Sequence, residues 1–170
     1  MGAKLKNVYF FLAEYLLLFM KAAFIGWLYE IICVNIIYGR YIDRGVLHLP
    51  FCPIYGFGML ILYVILRKVK NNWIILGASI LITTGVELIT SYVAQYAYHV
   101  ILWTYEDWPL NFQGRISAIS SCIFGIMALF VFRIVRPGVR KVFDGRLKMY
   151  VAVMTIITFA ACIIWELRFL

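Results

Sequence analysis

Residues 73–98 read WIILGASILITTGVELITSYVAQYAY, an apolar run that strongly constrains how this chain can fold. Its 26 residues carry a single charged side chain, the carboxylate of Glu87, near the middle of the run. A helix needs about 20 mainly apolar residues to cross the hydrocarbon core of a bilayer. The run therefore predicts a membrane-spanning helix that holds an acid inside the membrane.

The composition of the whole chain supports a membrane protein. Of its 170 residues, 65% are hydrophobic and 14% are charged, with a mean hydropathy of +0.92. Soluble domains average about 45–50% apolar and about 25% charged residues, and disordered chains combine low hydrophobicity with high net charge, so both classes are excluded. The net charge of +8 fits basic loops beside a membrane. A nucleic-acid partner is not expected, because such binding needs a solvated basic face.

Five apolar runs are candidates for spanning helices, and they cover residues 8–38, 53–66, 73–98, 116–135 and 150–170. We predict an all-α integral membrane protein: one transmembrane domain over residues 1–170, a bundle of about five transmembrane helices. Pro53 is a suitable first residue for the second helix. An N–H group at this position has no partner within the helix, so the N–H that proline lacks is not needed. The first run is too long for an untilted span. Either it tilts, or residues 4–20 lie partly in the interface and Lys21 snorkels to the surface.

The basic residues fall mainly on alternate connecting segments. If the N-terminus is cytoplasmic, eleven of the 16 Lys and Arg residues lie in cytoplasmic segments and four lie outside. Because cytoplasmic loops carry an excess of Lys and Arg, the sequence predicts a multi-pass cell-membrane protein with its N-terminus inside and its C-terminus outside. The largest basic segment is the predicted loop 136–148, which follows the fourth run.

Two carboxylates fall inside predicted spans, Glu30 in the first and Glu87 in the third. An ionisable group at that depth is costly unless it faces a cavity or a partner, so each is a candidate functional residue, with a packed helix contact as the alternative. Around Glu87, polar residues recur on one helix face, since side chains three or four apart are neighbours. They are Thr83, Thr84, Thr90, Ser91 and Gln95. This stripe predicts either a cavity wall or hydrogen bonds between helices. In the fourth run Ser117, Ser121 and Gly125 have the spacing of a close helix contact.

Two polar segments are predicted to lie outside the membrane, at residues 41–50, which lead into residues 51–58, and at residues 103–115. In the second, Trp103, Tyr105 and Trp108 are typical of aromatic anchors at the membrane interface. Asp107, Asn111 and Arg115 recur every four residues, so a helical turn would point them the same way. Arg115 could then reach toward Glu87, and Arg44 toward Glu30. Such pairing would offset the desolvation of both acids.

The residues of these segments resemble a known family. The matching motifs are Gly26-Trp27-x-x-Glu30, Arg44-Gly45-x-Leu47-x-x-Pro50-x-x-Pro53-Ile54-Tyr55-Gly56-x-Gly58, Glu87-x-x-Thr90, and Trp103-x-Tyr105 through Pro109-x-Asn111-x-x-Gly114-Arg115-Ile116. This pattern is similar to the ABC-transporter type IV family, also described as CmpB-like permeases, and it covers nearly the whole chain. The resemblance implies a membrane permease-like subunit.

The chain departs from that family pattern at two places. It has Leu49-Pro50 where members usually show Gly-Pro, and Trp103-Thr104-Tyr105-Glu106 where they favour Trp-Asp-Tyr-Ser. The second departure removes an aspartate from the motif. Asp107 is the candidate to substitute for it.

The chain contains no Gly-x-x-x-x-Gly-Lys-[Ser/Thr] phosphate loop, so an ABC-type mechanism would require a separate cytoplasmic ATPase. The basic segment 136–148 is either the docking surface for that partner or a topology anchor attracted to anionic lipid. Five spans are few for a complete pathway, which favours a homo-oligomer. We expect membrane lipids as further partners.

No cofactor or metal site is predicted. The four cysteines, Cys33, Cys52, Cys122 and Cys162, include no Cys-x-x-Cys pair. The two histidines, His48 and His99, have no ligand at zinc-like spacing. A Cys33–Cys52 disulfide is the less favoured alternative to packed thiols.

We predict a permease-like subunit that binds or moves a small molecule or ion through an outward-facing polar cavity. The predicted ligand-binding residues are Glu30, Arg44, Thr83, Glu87, Thr90, Ser91, Asp107, Asn111 and Arg115. In this hypothesis the acids bind a cation or exchange protons, while the arginines hold them charged or recruit an anionic group. Two alternatives stay open. One is a membrane enzyme acting on a lipid or amphiphile at the outer leaflet, and the other is a non-catalytic accessory or sensor subunit.

Overall fold

The structure is a computed structural model that describes residues 3–39 and 48–169. Within them the chain forms helices α1 (Ala3–Tyr38), α2 (Pro53–Leu66), α3 (Asn72–Tyr98), α4 (Ala118–Asp144) and α5 (Lys148–Glu166). An antiparallel hairpin of β1 (Asn111–Phe112) and β2 (Ile116–Ser117) lies between α3 and α4 in the chain. The predicted helical membrane fold is confirmed.

Four of these helices are long and apolar enough to cross a membrane. They are Asn7–Cys33 within α1, and the whole of α3, α4 and α5. Helix α2 has the bounds of the predicted second run, Pro53–Leu66, but with 14 residues it is not among the helices long enough to cross a membrane. At 1.5 Å per residue such a helix is about 21 Å long, which is shorter than the roughly 30 Å of a hydrocarbon core.

Helix α4 extends beyond the predicted fourth run, through a π-helical turn at Val131–Val135 and on to Asp144. The prediction of a basic loop over residues 136–148 is therefore wrong for most of that segment. Two features explain the extension. Pro137 lies in the first turn of the segment Arg136–Asp144, directly after the π-helical turn, where the missing N–H costs little. Val139 and Phe143, four residues apart, are both buried on one face.

The chain forms two compact units. One comprises Met1–Leu60 and Arg133–Leu170, and the other comprises Ile61–Phe132. In the first unit a buried apolar cluster joins α1 to the end of α4 and to α5, through Ala13, Val139, Phe143 and Ala152.

In the second unit α3 packs closely on the first part of α4. A Cβ atom on Gly125 would lie 2.4 Å from Cγ1 of Ile80, so only glycine allows this approach. One turn earlier, the hydroxyl of Thr84 donates to the Oγ of Ser121 at 2.7 Å. The close helix contact predicted from Ser121 and Gly125 is present. Ser117 has a different role, because its side chain caps the N-terminus of α4.

We expect Gly125→Ala to lower the free energy of unfolding by about 1–3 kcal/mol, because the added methyl group overpacks the α3–α4 contact. Gly77→Ala in α3 is the matched control, since nothing lies within 4 Å of its Cβ position. It should be neutral or stabilising by up to about 1 kcal/mol. Thermal unfolding in detergent micelles compares the two variants, and equal stabilities would contradict the described packing.

Candidate ligand-binding site

Glu87 lies at the middle of α3, and its residue is only 6% exposed. The protein therefore covers this carboxylate, which does not face the acyl chains. Thr83 lies one turn before it, and its hydroxyl donates to the carbonyl of Ser79 at 2.7 Å. Threonines in membrane helices commonly satisfy their hydroxyls in this way. Because the hydroxyl of Thr83 donates within its own helix, the carboxylate of Glu87 is the better candidate of the two for binding a ligand.

Tyr105 provides a hydrogen bond that the sequence did not reveal. Its hydroxyl donates to Oε1 of Glu87 at 2.6 Å. Hydrogen bonds from a hydroxyl to a carboxylate fall at about 2.5–2.7 Å when they are strong. This contact fixes the orientation of the carboxylate. Tyr105, predicted to be a membrane anchor, is therefore a positioning residue for Glu87.

The segment that carries Tyr105 is a hairpin loop and not a helix. The amide of Tyr105 donates to the carbonyl of Gly114 at 2.7 Å, which closes the loop. Gly114 has a φ of +65°, and a Cβ atom there would lie 2.8 Å from Cγ of Glu106. This position therefore requires glycine.

The hairpin separates the three residues predicted to share one helical face. Asn111 is used within the loop: its amide donates to the carbonyl of Trp108 at 2.9 Å, and its oxygen accepts from the amide of Gly114 at 3.0 Å. Asp107 is exposed. Arg115 alone of the three binds side chains of α3. The helical turn that would point these three residues the same way is not formed, because the polar groups of the segment satisfy turn and strand geometry.

Arg115 reaches the polar face of α3, as predicted, but beyond Glu87. Its Nη1 donates to the Oγ of Ser91 at 3.0 Å, and its Nη2 donates to Oε1 of Gln95. The guanidinium carbon also lies 4.1 Å above the ring centre of Tyr92. Ser91 and Gln95 are one and two helical turns from Glu87. The guanidinium therefore contacts the same face of α3 as the acid, one to two turns further along the helix.

Three further residues complete the description of this unit. Thr90 lies on α3 three residues beyond Glu87 and is partly buried. Trp103 donates from its indole N–H to the carbonyl of Arg115 at 3.0 Å, and Tyr92 donates to Oε1 of Gln113 at 2.7 Å. The Tyr92 contact attaches the hairpin to α3, and the Trp103 contact, within the segment that carries the hairpin, holds Arg115 in place. Sequence periodicity could not reveal them, because the residues that they join lie 21 and 12 positions apart in the chain.

The other predicted acid, Glu30, lies in the first unit. The hydroxyl of Tyr55 donates to its Oε1 at 3.0 Å. One turn earlier on α1 is Gly26, where a Cβ atom would lie 2.1 Å from Cγ of Tyr55. Two of the sequence motifs thus meet here: the glycine admits the tyrosine ring, and the ring delivers its hydroxyl to the acid.

Two parts of the predicted site remain predictions. Arg44 lies outside the described residues, and so does its expected approach to Glu30. Glu30 and Glu87 belong to the two separate units, so a cavity shared by the two acids is still a hypothesis.

The described residues contain no group of three His, Cys, Asp or Glu side chains that could hold a metal ion. The four cysteines are free thiols. His48 lies 3.4 Å from Oε2 of Glu166 and stacks on the ring of Phe169, an arrangement within the first unit that the sequence did not indicate.

Comparison with known proteins identifies one family. The family model described as "Putative ABC-transporter type IV" matches residues 17–167. Neither the curated proteins nor the solved structures include a match to this chain.

Proposed function

Because the chain belongs to the ABC-transporter type IV family of transport-related membrane proteins, we propose that it is a permease-like subunit that binds or moves a small molecule or ion. The proposed site is the polar face of α3 that faces the hairpin. Glu87 is the central group of the site, and Tyr105 orients it. Ser91 lies one helical turn further along the same face and is bound by Arg115. Thr83 and Thr90 flank the acid along the helix.

The burial of Glu87 is the observation that carries this proposal. A carboxylate at the centre of a spanning helix costs several kcal/mol unless the protein provides a compensating environment. Here the residue is 6% exposed and is oriented by a hydroxyl 2.6 Å away. In this setting the carboxylate would bind a cation or exchange a proton, because a buried acid interacts more strongly with a charge than an acid in water.

A solute panel tests this proposal. Wild-type protein in detergent micelles would be heated with alkali cations, organic cations, amino acids and phosphorylated solutes. A solute that binds the folded state raises the unfolding temperature by mass action. The proposal expects at least one stabilising solute, and it expects that stabilisation to require Glu87.

We further propose that the chain acts with a separate ATPase, since the sequence has no phosphate loop of its own. We also propose that it forms a homo-oligomer, since the spans of one chain are few for a complete transport pathway. The end of α4 is the candidate docking surface. Arg140 and Lys141 are exposed there, while Val139 and Phe143 of the same segment are buried. Anionic lipid headgroups are the competing partner for the same cations.

The proposed topology is a multi-pass cell-membrane protein with the N-terminus inside and the C-terminus outside. Since α2 is short, this proposal requires α2 to contribute a crossing of its own. Alkaline phosphatase, which is active only outside the cytoplasm, should be active when fused after Leu170. A fluorescent protein that folds only in the cytoplasm should be dark at the same position. The reverse result would place the C-terminus in the cytoplasm and contradict the proposed topology.

A further inference from the structure

Arg115 has a positive charge but only neutral contacts among the described residues. Its guanidinium binds the hydroxyl of Ser91 and the amide oxygen of Gln95, and it stacks on the ring of Tyr92. Arg115 takes part in neither the His48–Glu166 nor the Arg140–Asp144 ion pair. A partly buried cation that the protein leaves without a counter-charge favours binding of an external anion.

The hydrogen-bonding capacity of Arg115 is also incompletely used. A guanidinium has five N–H donors, and Ser91 and Gln95 accept from only two of them. The Nε atom is buried and has no hydrogen-bond partner. A buried donor without an acceptor is unfavourable, so the protein itself leaves the hydrogen-bonding capacity of this guanidinium incompletely satisfied.

The guanidinium is held in position before any anion arrives. Trp103 binds the backbone carbonyl of Arg115 at 3.0 Å, and Tyr92, beneath the guanidinium, is itself held by Gln113 at 2.7 Å. Preorganised groups lose little conformational entropy on binding. The planar fork of arginine matches two oxygens of a phosphate group, which a lysine ammonium does not.

We propose that Arg115 binds the phosphate oxyanion of a lipid headgroup or of a free phosphorylated solute. The inference rests on the proposed function, since Arg115 lies on the same face of α3 as Glu87 and would recognise the anionic part of a ligand bound there. Ser91, Gln95 and Tyr92 are positioning residues that orient the guanidinium. Both sources present the same chemistry to the site.

The test measures phosphate-dependent stabilisation of the purified full chain in dodecyl maltoside, a detergent without phosphate. One arm titrates inorganic phosphate against sodium chloride at equal ionic strength. The other arm titrates a short-chain phosphatidylglycerol against a short-chain uncharged glycolipid. We expect Arg115→Gln to weaken binding of the active probe by about tenfold or more, because a charge-assisted hydrogen bond is lost.

Arg168→Gln is the matched control. Arg168 also lies over an aromatic ring, that of Trp165 at 5.5 Å, but it is exposed. Its variant should bind the probe as the wild type does. Arg115→Lys keeps the charge without the fork, and we expect it to fold and to bind about threefold to tenfold more weakly. If Arg115→Gln fails to fold, the binding of the probe by Arg115→Lys decides whether Arg115 is required.

Stabilisation by inorganic phosphate that requires Arg115 supports a free solute as the source. Stabilisation by the phospholipid alone, again requiring Arg115, supports a headgroup. The proposal is overturned if neither probe stabilises the wild type, or if the Arg115 variants bind like Arg168→Gln. The Glu87-dependent solute response is measured separately, so failure of the anion site would leave the proposed function standing.

Discussion

Glu87→Gln is expected to abolish the rise in unfolding temperature that the stabilising solute produces in the wild type. Glutamine has nearly the same volume, and its side-chain oxygen can still accept the hydroxyl of Tyr105. The fold should therefore persist while the negative charge is lost. Removing one partner of a buried charged contact costs about 2–5 kcal/mol, which corresponds to a loss of affinity of roughly thirtyfold or more.

Two controls define what this result means. Glu106→Gln makes the same chemical change at an exposed carboxylate of the hairpin, so it should leave the solute response unchanged. Far-ultraviolet circular dichroism and size-exclusion chromatography would establish that the Glu87 variant remains folded. A Glu87→Gln protein with a wild-type response would exclude this acid as the ligand site. A lower unfolding temperature with the response intact would show that Glu87 only joins helices.

The helical elements could be predicted because each is encoded locally. The run around Glu87 predicts α3 almost to its ends, 73–98 against Asn72–Tyr98. The end of α4 was missed for a local reason as well. Hydropathy falls sharply after Val135, but one apolar face continues through Val139 and Phe143, and that face is enough to extend the helix.

The site was only partly predictable, because its decisive contacts join residues from separate elements. The spacing of the stripe identifies Glu87 and Ser91 as neighbours, but nothing in the spacing assigns Tyr105 to Glu87. Aromatic residues near a membrane interface are usually anchors. Tyr105 was therefore predicted to be an anchor, and its hydrogen bond to Glu87 was missed. Tyr55 stands inside the motif that carries the family resemblance, but nothing in its spacing assigns it to Glu30.

The two tyrosine contacts show a shared principle within the separate units. In each, a hydroxyl from a segment next to a spanning helix reaches a carboxylate within that helix: Tyr55 to Glu30 at 3.0 Å, and Tyr105 to Glu87 at 2.6 Å. Each contact depends on a nearby glycine, since Gly26 admits the ring of Tyr55 and Gly114 closes the loop that carries Tyr105. The motif glycines thus act indirectly, by allowing the acids to be oriented.

Gly26→Ala should be among the most destabilising single substitutions in the first unit. The new methyl carbon would lie 2.1 Å from Cγ and 2.6 Å from Cβ of Tyr55. These atoms are the rigid base of the side chain, so the ring cannot avoid the clash without leaving Glu30 or separating α1 from α2. Overpacking costs about 1–3 kcal/mol, and loss of the hydroxyl contact adds about 1–2 kcal/mol. We therefore expect a loss of about 2–5 kcal/mol in the free energy of unfolding.

Gly58→Ala in α2 provides the comparison, because nothing lies within 4 Å of its Cβ position. It should be neutral or slightly stabilising, since alanine favours a helix over glycine by up to about 1 kcal/mol. Tyr55→Phe removes the hydroxyl without adding a clash, and it should cost only the smaller part of the Gly26→Ala effect. Unfolding curves in detergent give the three values. If Gly26→Ala is as stable as Gly58→Ala, Tyr55 does not pack on α1 at this position, and the orientation of Glu30 must have another cause.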